Sequence, residues 1–257
     1  LLIPHYGCKF VSLELTNLLI KNNFKIVARG FTGEKYQNVI DKIKKHEFDA
    51  VIVNGEGTLH HKNNYSQTIF KIINYIKNNY LKKVFIINSV IQDLPRKSLL
   101  SLKNCDKIFV RESISQKYLR NYKIKSKVVP DLMFNKNFKN ISKRRSNRIV
   151  LTDSVFDETT NKIIKIIKQN KKYLFCPLIK KPDNFLNKNN KRLFRYYLSR
   201  IKYITLYFLF NINVNKTNYY INNDKKFLEI LKNSSLNICG RFHAVVLSLI
   251  MLRPFVV

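Results

Sequence analysis

The chain has 257 residues, of which 45% are hydrophobic and 12% aromatic, which excludes a disordered polymer and allows two modest domains with buried cores. Its formal net charge of +32 invites a nucleic-acid partner. The excess is spread as Lys along a chain rich in Asn and Ile, without an RNP, zinc-knuckle or helix-turn-helix signature, so it reads as a solvated basic surface and no nucleic-acid partner is expected.

In chain order, an amphipathic helix is predicted over residues 11–20 and a short strand over 24–28. The β-branched run at 49–53 ends at Asn54 and Gly55. A helix follows over 66–78, with Ile69, Ile72, Ile73 and Ile76 on one stripe. Buried strands are predicted at 84–87 and 107–110, then a helix from Ser113 to about Tyr122, then Val128 and Val129 before Pro130 and Asp131. Strands that alternate with helices predict a parallel sheet with crossover helices. The polar, basic stretch 135–147 reads as a linker, which divides the chain into an N-terminal Rossmann-like domain (1–134) and a C-terminal one (148–257). The second half restarts with a strand at 148–151, a helix at 161–169 and a strand at 172–176, then a polar loop at 183–191. It ends with a short helix at 227–231, a strand at Leu236 and a helix from Ala244.

Residues 193–214 interleave Arg195, Arg200 and Lys202 with Phe194, Tyr196, Tyr203, Tyr207 and Phe208. Its apolar part is too short to span a bilayer. Two readings stand: a basic aromatic helix in a membrane interface, or a core element with snorkelling basic residues. The opening lacks a signal-peptide pattern. Leu1 and the apolar end at Val257 both read as cuts inside structure, so a fragment truncated at its C-terminus is expected. Cys8, Cys105, Cys176 and Cys239 are too dispersed for a CxxC metal site or a disulfide framework and read as buried free thiols of a reducing cytoplasm.

Ligands of parallel α/β sheets gather beyond the C-terminal ends of the strands, and three such junctions carry unusual chemistry. In the first, Asn54 to His61, Gly55 and Gly57 permit close backbone approach to a phosphate or sugar oxygen, with Thr58 beside them. Glu56 is either a base for a sugar hydroxyl or a charge partner of a helix N-terminus. His60 and His61 are adjacent and do not easily face one ion, so no metal site is expected. In the second, Arg111 ends a strand, as a partner of Glu112 or facing a cleft, and Ser113 reads as an N-cap. In the third, Gly240-Arg241-Phe242-His243-Ala244 puts a planar cationic fork and a proton carrier at a helix N-terminus, where N–H groups and the dipole already favour an anion. Arg111 and Arg241 together suit a small dianion such as a phosphorylated acid.

These segments resemble the polysaccharide pyruvyl transferase family. Tyr6-Gly7-Cys8 resembles its opening glycine loop, Asn54 to His60 its glycine-rich loop, and Phe109 to Ser115 its arginine–acid–serine motif. Val129 to Phe134 resembles its proline–aspartate element, and Gly240 to Ala244, followed by Arg253-Pro254-Phe255-Val256, its most specific signature. The resemblance implies a GT-B-like fold of two Rossmann-like domains. It also implies transfer of the carboxyvinyl unit of phosphoenolpyruvate to a sugar, as a ketal, in bacterial capsule or cell-envelope polysaccharide biosynthesis. On that basis His243 and Glu56 are the catalytic acid and base, while Arg111, Arg241, Gly7, Gly55, Gly57 and Thr58 bind substrate. No cofactor or metal is implied beyond phosphoenolpyruvate as donor. The acceptor is a sugar or lipid-linked oligosaccharide, and the location cytoplasmic with peripheral contact at the inner face of the membrane. The rival reading is a GT-B-type glycosyltransferase using a nucleotide sugar, for which Asp224 and Glu229 are the acidic candidates for ribose hydroxyls. A membrane-associated assembly protein that keeps the fold without catalysis is a further alternative.

Overall fold

The alternation of strand and helix gives two four-stranded parallel sheets in the computed structural model, which describes residues 5–136, 146–169, 172–179, 201 and 223–257. The chain divides into two units, one of Leu1–Leu15 with Met133–Val257 and the other of Thr16–Leu132.

In the Thr16–Leu132 unit the strands run β1 (Ala50–Glu56), β2 (Lys83–Ser89), β3 (Lys107–Val110) and β4 (Lys127–Val128), in that spatial order. Val84, Ile86, Ile108 and Val110 are buried, as period-2 alternation demands of a sheet covered by helices. Helix α1 (Tyr6–Lys21) enters this unit at Thr16, and α2 (Tyr36–Lys44) precedes β1. Helix α3 (Asn64–Tyr80) starts where the Asn63 side chain accepts from Ser66 N–H at 2.8 Å, and it stops where Leu81 turns left-handed at φ 52°. Its Phe70, Ile73 and Ile76 enter the same core as Val84, Ile86 and Leu119. Helices α4 (Arg96–Lys103) and α5 (Ser113–Asn121) follow β2 and β3.

In the other unit β5 (Ile149–Leu151) lies between β6 (Tyr173–Phe175) and β7 (Leu236–Ile238), with β8 (Phe255–Val256) outside β7. Helix α6 (Asp157–Gln169) links β5 to β6, α7 (Asp224–Asn233) precedes β7, and α8 (Phe242–Ile250) follows it. Ile163, Ile164 and Ile167 of α6 pack with Leu151 and Phe175. The first turns of α1 belong to this unit, where the Tyr6 ring stacks on Phe227 of α7 at 3.8 Å and 7°.

Several expectations change. Residues 24–28 form no strand: they join neither sheet, and Phe24 is exposed. The first helix begins at Tyr6, so Gly7 lies in a helical turn and not in a loop. The expected continuous boundary fails at the start, because Tyr6 and Phe10 bury their rings in the unit that holds Phe227. Much of the expected linker, the loop 183–191 and, apart from Ile201, the segment 193–214 lie outside the described residues. Among the described residues no helix is long and apolar enough to cross a membrane. None of the four cysteines is in a disulfide, and Cys8 and Cys105 are only half-buried.

Candidate functional site

The signature loop is built by its neighbours in the same unit. Gly240 N–H donates to Thr152 Oγ1 at 2.9 Å, and a Cβ on Gly240 would stand 2.6 Å from the Asp153 carbonyl oxygen. Only glycine lets the chain after β7 pass so close to the chain after β5. Arg241 is the extended residue before α8, and its side chain folds back onto the β5 end. Its Nε donates to Asp153 Oδ2 at 2.7 Å and its Nη2 to the Ser154 carbonyl at 3.0 Å. The carboxylate is itself held, since Leu178 N–H donates to Asp153 Oδ1 at 2.7 Å. Burial pushes the Asp153 carboxyl above its ordinary value, with Arg241 and the Leu178 N–H pulling against it. A guanidinium has five N–H donors. Among the described residues Arg241 uses one on Nε and at least one on Nη2, so the Nη1 edge of the fork is available to a ligand.

His243 occupies the first turn of α8 and is 7% exposed. Its ring lies against the backbone of Gly7: a Cβ there would fall 2.3 Å from His243 Cγ and 2.5 Å from Nδ1. This close approach, and not loop flexibility, is what requires glycine at position 7. The start of α1 is pinned by Tyr6 N–H donating to the Leu178 carbonyl at 2.8 Å and by a bridge between His5 and Ile179. Leu178 thus ties the Asp153–Arg241 pair to the helix that cradles His243. The His5 ring stands 5.7 Å from that of His243, tilted by 59°. Burial, then the charges of Arg241 and His243, hold the His5 imidazole well below the usual histidine range.

In the other unit β1 continues through Gly55 and Glu56, which are therefore strand residues and not loop. A Cβ on Gly55 would meet Ser89 Oγ at 2.1 Å, so that glycine serves strand packing. Glu56 takes φ 42°, and its carboxylate accepts from Asn54 Nδ2 at 2.9 Å. Thr58 closes a turn through its N–H to the Gly55 carbonyl at 2.9 Å. Gly57 lies beside Arg111, whose Nη2 would be 3.9 Å from a Cβ built there. Arg111 pairs with Asp131: its Nη1 donates to Asp131 Oδ2 at 3.1 Å, with both side chains buried. Glu112, and not Ser113, caps α5, accepting from Ile114 N–H at 2.6 Å and Ser115 N–H at 2.8 Å. Within this unit the structure brings together Gly57, Arg111 and Asp131.

Sequence reasoning missed Asp153, His5 and Cys8 as neighbours of Arg241 and His243. Asp153 stands two residues beyond a short strand, and an acid at such a strand end was the available signal. Asp224 forms an ion pair with Lys9.

No curated protein matches the chain. Among solved structures it is similar to a functionally uncharacterized protein of Klebsiella pneumoniae, at 16% identity and TM-score 0.52, covering 99% of this chain and 79% of that one. It is also similar to the UDP-GlcNAc 2-epimerase of Methanocaldococcus jannaschii, at 13% identity and TM-score 0.50, covering 98% of this chain and 80% of that one. At such identity these likenesses carry the fold, α/β with parallel sheets. The sequence profile of the family described as Polysaccharide pyruvyl transferase matches residues 9–257, which include Arg111, Asp131, Asp153, Arg241 and His243. The chain therefore belongs to the polysaccharide pyruvyl transferase family.

Proposed function

We propose that the chain transfers the pyruvyl unit of phosphoenolpyruvate to a sugar of a capsular or cell-envelope polysaccharide, as a ketal. The observation that carries this reading is the α8 N-terminus, where a guanidinium fixed by a buried carboxylate precedes, by two residues, an imidazole clamped against glycine. Carboxylate and phosphate oxygens suit the Arg241 fork and the positive end of the α8 dipole. His243 gives a proton to the methylene carbon, which becomes a methyl, and the adjacent carbon gains oxocarbenium character. A sugar hydroxyl adds there, and its proton passes to a base at the acceptor. A second hydroxyl of the same sugar then displaces phosphate, which leaves with that hydroxyl's proton. Solvent returns that proton to His243, and the cycle balances. The acceptor is a sugar or lipid-linked oligosaccharide at the inner face of the membrane, and two parallel sheets are what a GT-B-like pair of Rossmann-like domains requires.

Transfer run in deuterium oxide with phosphoenolpyruvate and an envelope-polysaccharide extract tests this by mass spectrometry and phosphate release. The expected product carries one deuterium in each new methyl group, and His243→Gln slows its formation by about 10²–10⁴-fold. Sugar transfer from UDP-N-acetylglucosamine, with no phosphate released from phosphoenolpyruvate, would replace the reading with that of a glycosyltransferase.

A further inference from the structure

His5, Cys8 and His243 each offer one ligand atom, and the three atoms lie within 4.8 Å of one another. All three belong to one unit. We propose that they form a binding site for a single divalent ion of zinc's class. Two imidazoles and a thiolate are the donor set such an ion prefers over calcium or magnesium, which take oxygen. Zn–N and Zn–S bonds of about 2.0–2.3 Å put tetrahedral ligand atoms roughly 3.3–3.7 Å apart, so a side-chain adjustment of about 1 Å closes the observed set onto an ion.

The backbone presents the three groups in advance. His5 and Cys8 are three apart at the start of α1, and so share one side of its first turn. That turn is fixed by Lys9 N–H donating to the His5 carbonyl at 3.0 Å and by the bridge from His5 to Ile179. His243 is brought to it by the missing side chain of Gly7. The Cys8 N–H to His5 Nδ1 contact is long, 3.4 Å, and is given up cheaply for a metal bond. Arg241 opposes a cation here, but Asp153 pairs with it. The Cys8 thiol loses its proton to solvent as the sulfur–metal bond forms, adding a negative charge at the ion. Three protein ligands leave a fourth position for water or a substrate oxygen. The inference goes beyond the proposed function, and it makes metal binding and proton donation by His243 mutually exclusive.

The full chain is titrated with Co²⁺, then with Zn²⁺ against a chromophoric chelator. The expected result is one ion per chain with a thiolate-to-cobalt absorption band that Zn²⁺ abolishes. Cys8→Ser removes the band. Cys8→Ser and His5→Gln each weaken zinc by more than the about 10–100-fold that loss of an outer-shell partner costs, while Cys105→Ser changes nothing. Absence of a thiolate band in the unsubstituted chain, or a band that survives Cys8→Ser, overturns the site. Neither result depends on phosphoenolpyruvate, so the site and the proposed transfer fail separately.

Discussion

Each unit carries an arginine clamped by a buried aspartate, yet the two pairs are used differently. Arg111 donates to Asp131 from Nη1, and that guanidinium is almost as buried as its partner, with side-chain exposures of 9% and 1%. Arg241 is tethered through Nε and Nη2, and its side chain is 16% exposed against 1% for Asp153. Tethering by the inner edge aims the outer edge of the fork away from the carboxylate. Beside Arg241 stands an imidazole in a helical first turn, whereas beside Arg111 stands a glycine. One unit therefore sets a tethered guanidinium beside an imidazole, and the other sets one beside a close backbone.

Removing each aspartate tests whether the clamps are equivalent. Breaking a buried ion pair by removing one partner costs about 3–5 kcal/mol, so Asp153→Ala and Asp131→Ala should lower stability by similar amounts in denaturant titrations. A large loss at one site only would show that the other arginine finds water or a second partner. Replacing the two glycines separates the sites further. Gly7→Ala puts a methyl into the His243 ring and should cost about 1–3 kcal/mol, less up to about 1 kcal/mol regained from helix propensity. Gly57→Ala meets only Arg111 Nη2, at 3.9 Å, and should stay within about 0.5 kcal/mol. Equal melting temperatures for these two variants would remove the packing argument for Gly7.

The unit with Arg111 should also lose a contact in acid that the other does not share. Asp106 accepts from Lys77 Nζ and from Val84 N–H, at 2.5 and 2.7 Å. Burial alone would raise its carboxyl, but these bonds outweigh it and hold the group below its ordinary 3.8. A depressed native value stabilises fully above the unfolded one and is lost as pH falls through the native one. Asp106→Asn should then cost about 1–2 kcal/mol at neutral pH, and the deficit should shrink below about pH 4. A deficit constant with pH would assign it to packing. The smallest effect is expected at Lys162→Ala, which breaks an exposed i,i+4 pair with Glu158 and should cost no more than about 0.5 kcal/mol.

The parts legible in the sequence are those set by local pattern. The strands near 50, 85 and 108, the α3 stripe and the loop at Arg241 announced themselves by β-branched runs, 3.6-residue spacing and the strand–loop–helix signature. Helices α2 and α4 went unread because their apolar positions are few and set among lysines and serines. The run at 24–28 has strand composition, but pairing is a tertiary event that composition does not supply. Asp153 and Arg241 meet across 88 positions of sequence, and nothing near either names the other. Gly7 read as a loop glycine because its reason, the His243 ring, comes from the far end of the chain.

The most direct test of the account is a calorimetric titration of the full chain with phosphoenolpyruvate, beside Arg241→Lys, which keeps the charge and loses the fork. The account predicts saturable one-site binding, weakened about 10–100-fold by the substitution, as expected for loss of a charge-assisted hydrogen bond worth about 1.5–3 kcal/mol. Absence of saturable binding in the unsubstituted chain, or equal affinity in Arg241→Lys, would contradict the claim that the Asp153-clamped arginine is the donor's anchor.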